Sequence, residues 1–325
     1  MRIVSLLPSA TEIIDLLGAT DQLVGRSHEC DFPAGLDRVP VLTAQRTSAQ
    51  TPAAIDAEVR SSLESGQSLY TLDTDALADL RPDVIVTQDL CDVCSIDLNT
   101  VRAAADTIAE RTGHRPEIVS LDPETIEDVF DDMLAVGEAI GRERAASDAI
   151  VELRDWFHSM QDYVNQYEQG VVVGFMEWTD PIFIAGHWTV QMIERAGGRH
   201  PLNEAVPKPG SGAAAGPQQA ERVAGKSIRV PNEAFAATRP EVLVISPCGF
   251  NLAQTRAAVD ELRGHDWFES LPAVKSGRVA LVDGNQHFNR PGPRLAEAFA
   301  FLVGFIQQRP ELIPADFPWE PLPIG

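Results

Sequence analysis

Arg81-Pro82-Asp83-Val84-Ile85-Val86-Thr87-Gln88-Asp89-Leu90-Cys91-Asp92-Val93-Cys94 is the stretch that decides the fold. Val84-Ile85-Val86, a β-branched run opening directly after a proline, reads as a strand buried on both faces, as in the middle of a parallel sheet. Its polar and thiol side chains then arrive at the carboxyl end, where open α/β sheets hold their ligands. The same unit is written twice. Asp75-Ala76-Leu77-Ala78-Asp79-Leu80-Arg81-Pro82-Asp83-Val84-Ile85-Val86 matches Glu233-Ala234-Phe235-Ala236-Ala237-Thr238-Arg239-Pro240-Glu241-Val242-Leu243-Val244 at an offset of 158 residues. The halves are therefore built alike, and Cys91 and Cys248 fall in nearly equivalent loops.

Outward from the repeat, residues 2–7, 23–26 and 117–121 read as further strands, and 54–63, 75–80 and 101–111 as helices. Ser9-Ala10-Thr11-Glu12 reads as a capping box opening a helix that Gly18 ends. Residues 125–141 and 143–166 carry helical spacing, and the second segment would run about 35 Å at 1.5 Å per residue. Alternation resumes with strands at 171–175, 182–185, 242–245 and 279–282 and helices at 190–196 and 256–262. Residues 207–225 form a low-complexity loop whose glycines are no dinucleotide fingerprint, because no strand leads into them. The expected fold is α/β: two doubly wound Rossmann-like lobes, 1–122 and 169–325, bridged by a long α-helix within 123–168, with a ligand cleft between the lobes.

The 325 residues suffice for two domains, and 44% hydrophobic with 23% charged residues is ordinary for a globular protein. A formal charge of −22, with lysine only at 208, 226 and 275, opposes nucleic acid as a partner. No run approaches the roughly 18 apolar residues of a membrane span, so the chain is not expected to cross a membrane. The opening Met1-Arg2-Ile3-Val4-Ser5-Leu6-Leu7 leaves no room for an export signal before the first helix. The expectation is a cytoplasmic protein, or an extracytoplasmic one if a leader had been trimmed. Four cysteines without a disulfide framework agree with a reducing compartment.

Leu7-Pro8-Ser9-Ala10-Thr11-Glu12, the paired Arg-Pro-acid-strand units and the helical linker resemble the helix-bridged substrate-binding proteins of ABC importers for cobalamin, haem and iron-siderophores. His28-Glu29-Cys30-Asp31, Gln88-Asp89-Leu90-Cys91-Asp92-Val93-Cys94, Gly186-His187-Trp188, Pro247-Cys248-Gly249-Phe250, Asp283-Gly284-Asn285 and Arg290-Pro291-Gly292-Pro293-Arg294 look like the branch usually called cobalamin-binding proteins. The resemblance covers nearly the whole chain. It implies non-enzymatic binding of a metal-bearing ligand, foremost a corrinoid, and an ABC permease as partner.

His28, His187 and Cys248 each follow an apolar, strand-like run, so their loops are expected to converge with that of Gln88 and Asp89 on one cleft. His187 is a candidate axial ligand to cobalt or iron, against the commoner role of a hydrogen-bonded loop histidine. Trp178, Trp188, Phe250 and Phe288 are candidates to stack on a flat macrocycle, or else pack in the core. Gln88, Glu177, Asp180 and Asn285 can bond amide or carboxylate rims of a ligand. Arg290 and Arg294 can grip carboxylate or phosphate, or cap the following helix. Cys91 and Cys94, joined by Cys30 and Cys248, would make a four-thiolate site for zinc or an iron–sulfur cluster, with His28 as a substitute ligand; a thiol redox pair and inert buried cysteines are the alternatives. No Gly-x-Ser-x-Gly elbow, phosphate loop or His-Glu-x-x-His occurs.

Overall fold

The computed structural model describes residues 1–65, 67–89, 96–165, 168–210 and 222–323. Cys91 and Cys94 lie outside the described residues. The chain divides into two compact units, one of Met1–Gln50, Ala54–Pro123 and Asp128–Glu152, the other of Thr51–Ala53, Glu124–Glu127 and Leu153–Gly325.

The first unit contains β1 (Ile3–Ser5), α1 (Pro8–Leu16), β2 (Leu23–Arg26), β3 (Thr43–Gln45), most of α2 (Pro52–Glu64), β4 (Tyr70–Leu72), α3 (Thr74–Leu80), β5 (Val84–Gln88), α4 (Leu98–Thr112), β6 (Glu117–Leu121) and most of α5 (Ile126–Ala139). Its sheet runs β2-β1-β5-β6, every pair parallel, and β3 and β4 form a separate antiparallel ribbon. All five residues of β5 are buried, as a central strand requires. Val4, Leu6, Leu77, Ile85, Val101 and Ile108 make the core on which α3 and α4 pack.

The capping box expected at Ser9 and Glu12 does not form. Pro8 takes the first helical position, where its missing N–H and fixed φ cost nothing, so Leu7 is the N-cap and Ser9 and Glu12 are carried inside the helix. Both are buried, at 2% and 1% exposure. A true capping box occurs instead at Asn251 and Gln254. The second helix of the linker region, α6 (Glu143–Gln161), is shorter than expected but continuous; its residues to Glu152 belong to the first unit and those from Leu153 to the second.

In the second unit the chain passes through β7 (Val171–Thr179), β8 (Ile182–Ile184), α7 (His187–Arg195), β9 (Gly198–Arg199), β10 (Val206–Pro207), β11 (Arg222–Val223), β12 (Ile228–Arg229), α8 (Asn232–Ala237), β13 (Val242–Ile245), α9 (Leu252–Leu262), α10 (Asp266–Glu269), α11 (Pro272–Lys275), β14 (Val279–Val282), α12 (Leu295–Ile306) and β15 (Trp319–Pro321). The main sheet runs β12-β8-β7-β13-β14-β15, with β9 alongside β7. Its centre, β7-β13-β14, is parallel; β8, β12 and β15 add antiparallel edges. The ends of the segment read as a low-complexity loop form the short ladder β10–β11, held by a Glu194–Arg222 ion pair at 3.1 Å. Residues 211–221 lie outside the described residues.

The repeat is structural as well as sequential. In each copy an arginine in the left-handed region follows the helix within two residues, Arg81 (φ 46°) as the C-cap or Arg239 (φ 51°) just past it, before the proline and the buried strand. The acid that follows then accepts from a backbone N–H of the neighbouring strand's opening: Asp83 Oδ2 from Arg2 N at 2.7 Å, Glu241 Oε1 from Val172 N at 3.3 Å. The acid of the motif thus sets where the central strands start to pair.

His200 closes the underside of β7. It is 3% exposed, Nδ1 donates to the Val173 carbonyl at 3.0 Å, and burial pushes its pKa down from the ordinary 6.5 to about 4. A histidine whose folded value is depressed is neutral in the fold and protonated first in the unfolded chain. Its contribution to stability is therefore full above pH 6.5 and is lost as pH falls towards 4, by about 3 kcal/mol in total. Urea unfolding of wild type should show this extra loss relative to His200→Gln between those pH values; a pH-independent difference would contradict the assignment.

Candidate functional site

The strands of the first sheet are parallel, so their carboxyl ends share one edge, and the side chains there are hydroxyls, a thiol and an imidazole. Ser5 ends β1, Ser27 and His28 follow β2, and Thr87 and Gln88 end β5. His28 donates its backbone N–H to Thr43 Oγ1 at 3.0 Å, and its Nδ1 lies 2.7 Å from the same oxygen. Thr43 also lies 3.1 Å from Ser27 Oγ. The His28 ring sits 5.8 Å from that of Tyr70, and burial lowers its pKa, which keeps the imidazole neutral. Cys30 is 1% exposed, with its sulfur 3.0 Å from the Thr11 hydroxyl, which in turn reaches Ser5 Oγ at 2.8 Å. Gln88 is buried, and Asp89 is exposed with its N–H on the Leu121 carbonyl.

The carboxyl ends of β7, β13 and β14 form the matching edge of the second unit. Glu177 and Trp178 lie on β7, which runs four residues past the expected end at Phe175. Glu177 is half-buried; desolvation pushes its pKa up to about 7, opposed by bonds from the Ser227 hydroxyl and the Gly186 N–H. Gly186 is required by close approach, because a Cβ there would sit 2.2 Å from Ser227 N and 2.4 Å from Lys226 C. The helix α7 therefore starts on His187, whose N–H meets the Gly225 carbonyl at 2.9 Å and whose φ of 48° is left-handed. The His187 ring stacks on Trp188 at 5.7 Å and 19°, and Trp188 Nε1 donates to the Phe288 carbonyl at 2.8 Å. Asn203 Nδ2 ties this corner together, reaching the carbonyls of Ala185, Gly225 and Lys226 at 2.9, 3.1 and 3.1 Å.

The loop after β13 places Cys248 at the surface and Phe250 against Trp178, ring centroids 5.0 Å apart at 60°. Gly284 lets the loop after β14 come within 1.9 Å of the Pro247 oxygen from where its Cβ would be, and Asn285 N bonds to the Phe250 carbonyl at 3.0 Å. Burial raises the pKa of Asp283, opposed by the Asn285 N–H and the nearby Arg290 charge. Arg290 is 4% exposed, and Arg294 donates to Gln286 Oε1 at 2.8 Å while forming the N-cap of α12. Asp180 is exposed in the turn between β7 and β8.

Phe288 is 1% exposed and packs edge-to-face on Phe175 at 5.0 Å, with Phe301 and Phe317 also around it at 6.2 Å, the core packing that was the other reading of this ring. Among the described residues no group of three or more His, Cys, Asp and Glu gathers as a metal site.

Four buried polar atoms without a hydrogen-bond partner among the described residues mark these same edges: His28 Nε2, Thr87 Oγ1, Thr179 Oγ1 and Ser246 Oγ. They lie just after β2, in the last residues of β5 and β7, and directly after β13. Leaving a buried polar group unpaired costs about 1–3 kcal/mol, and such groups mark sites with a use for them. The sequence reading missed Thr43, Ser227 and Asn203, each in a polar or mixed segment that no motif marks.

The periplasmic binding protein family matches residues 3–285. No curated protein matches the chain. Among similar solved structures, a periplasmic haem-binding protein from Pseudomonas aeruginosa is 19% identical, with a TM-score of 0.67 over 99% of this chain and 95% of that one. The periplasmic haem-binding protein RhuT from Roseiflexus sp. RS-1 is 19% identical, with a TM-score of 0.65 over 94% of this chain and 98% of that one. The periplasmic vitamin B12-binding protein BtuF of Vibrio cholerae is 18% identical, with a TM-score of 0.60 over 95% of this chain and 98% of that one. At such identities the structures share the fold. With its match running from β1 to the loop after β14, this chain belongs to the periplasmic binding protein family.

Proposed function

We propose that this protein binds a metal-bearing macrocycle, foremost a corrinoid of the cobalamin type, without transforming it, and passes it to an ABC permease. The observation that carries the reading is that the second unit, whose carboxyl-end hydroxyls Thr179 Oγ1 and Ser246 Oγ are buried without a hydrogen-bond partner among the described residues, also carries the ring pairs Trp178–Phe250 and His187–Trp188. Flat apolar rings take up the faces of a macrocycle, while the scattered hydroxyl, imidazole and carboxyl groups suit its polar rim. Glu177 fits this role because its raised pKa lets it donate or accept near neutrality. The motifs around His28, Gly186-His187-Trp188 and Asp283-Gly284-Asn285 favour the corrinoid over haem, the ligand of several proteins of like fold. No helix among the described residues is long and apolar enough to cross a membrane, so a permease would be a separate partner.

Calorimetry with cobalamin, cobinamide, haemin and a ferric siderophore tests the reading. Saturable one-site binding of a corrinoid is expected, and absence of binding to all four overturns it; haemin binding alone would replace the corrinoid by haem. Gly186→Ala should weaken the same binding at least tenfold and lower stability by about 1–3 kcal/mol, because the new methyl forces the 225–227 segment away from α7. Unchanged affinity in that variant would remove the His187 corner from the site.

A further inference from the structure

Thr43 carries no motif, yet its hydroxyl controls His28. It is 6% exposed, at the first position of β3, and three polar atoms surround its oxygen: His28 N at 3.0 Å, His28 Nδ1 at 2.7 Å and Ser27 Oγ at 3.1 Å. A threonine hydroxyl has one proton to give and two lone pairs to fill. The backbone N–H of His28 takes one lone pair. If the proton points to Ser27, Nδ1 must carry a hydrogen and donate it into the second lone pair, which leaves Nε2 with the free pair. If the proton points to Nδ1, Ser27 donates to Thr43 and Nε2 carries the hydrogen. The two hydroxyls and the ring therefore turn over together, and the direction of the chain decides what Nε2 offers. Nε2 is shielded from solvent and has no hydrogen-bond partner among the described residues, with the Tyr70 ring as its aromatic neighbour.

We propose that Thr43 is a positioning residue of the ligand site: by accepting the Nδ1 hydrogen of His28 it presents the Nε2 lone pair to the electron-accepting centre of a bound metal macrocycle. The inference rests on the ligand reading above. An imidazole that binds a metal through one nitrogen gives its other N–H to a fixed acceptor, and that acceptor sets ring orientation and basicity. Thr43 supplies this acceptor and Ser27 takes its proton, so nothing in the chain needs to be ionised. It also clamps the backbone N–H of His28, so ring and main chain are held at one point. The ligand must displace whatever covers Nε2 in the present state.

The test uses the full chain in three forms: wild type, Thr43→Val, which keeps the shape and removes the acceptor, and Thr43→Ser, which keeps the hydroxyl. Long-range proton–nitrogen NMR of labelled histidine reads the tautomer before ligand is added. Titration with aquacyanocobinamide and with haemin then reads affinity and the visible band. Wild type and Thr43→Ser should bind with the same band shift, and the His28 Nε2 resonance should move on binding. Thr43→Val should bind about tenfold to a hundredfold more weakly and lack the shift. Wild type that binds while Thr43→Val keeps the same affinity and spectrum overturns the role of Thr43 alone, as does a Nε2 resonance that stays put in the wild-type complex. Wild type that binds neither probe overturns the ligand reading and this inference together.

Discussion

Parallel pairing is the constraint on which the remaining structure depends. Parallel strands slant their hydrogen bonds and need a crossover between each pair, so their starts must be set without the help of a hairpin. Here the start is set by the acid of the Arg-Pro-acid unit, whose carboxylate bonds to a backbone N–H of the strand beside it, Asp83 to Arg2 and Glu241 to Val172. With the amino ends fixed in this way, the carboxyl ends of β1, β2 and β5 fall level in one unit and those of β7, β13 and β14 in the other. Ser5, Ser27, His28, Thr87 and Gln88 in one unit, and Glu177, Thr179 and Ser246 in the other, then arrive at those edges because that is where each strand must turn.

The chemistry at the edges is close to neutral, which contrasts with the acidic surface implied by a formal charge of −22. His28 is held neutral by burial, and Glu177 has its charged form disfavoured by burial. Groups of this kind offer hydrogen bonds without demanding a counter-ion, which suits a ligand whose charge is spread over a ring or held by its own metal. Rigid glycines make the arrangement dense: Gly186 and Gly284 each sit where any side chain would meet backbone. The site loops of the second unit therefore lean on one another.

Much of the scaffold was legible because its signals were local. The strands ending at Arg26, Leu121, Ile245 and Val282 have the stated bounds in the fold, the last two as short runs buried throughout between turn signals. The repeat was legible for the same reason. What escaped depended on contacts distant in sequence. The ribbon β3–β4 is short and half exposed, so it left no periodic trace, and with it went Thr43. Glu177 and Trp178 interrupt the apolar run of β7, although pairing with β8 carries the strand through to Thr179. Phe288 follows a strand as closely as Phe250 does, and only packing separates the ring in the core from the ring beside Trp178. The Ser9 box failed because a proline one residue earlier already starts the helix.

The proposed ligand contacts lie at carboxyl ends of strands, while the acids at the amino ends set register. Amide hydrogen exchange with and without aquacyanocobinamide or haemin reads this directly. The account predicts slowed exchange at 27–30, 43–45, 177–179, 186–188 and 247–250, and no change at Arg2, Asp83, Val172 and Glu241. Protection confined to the amino edges, or spread evenly over both, would contradict it.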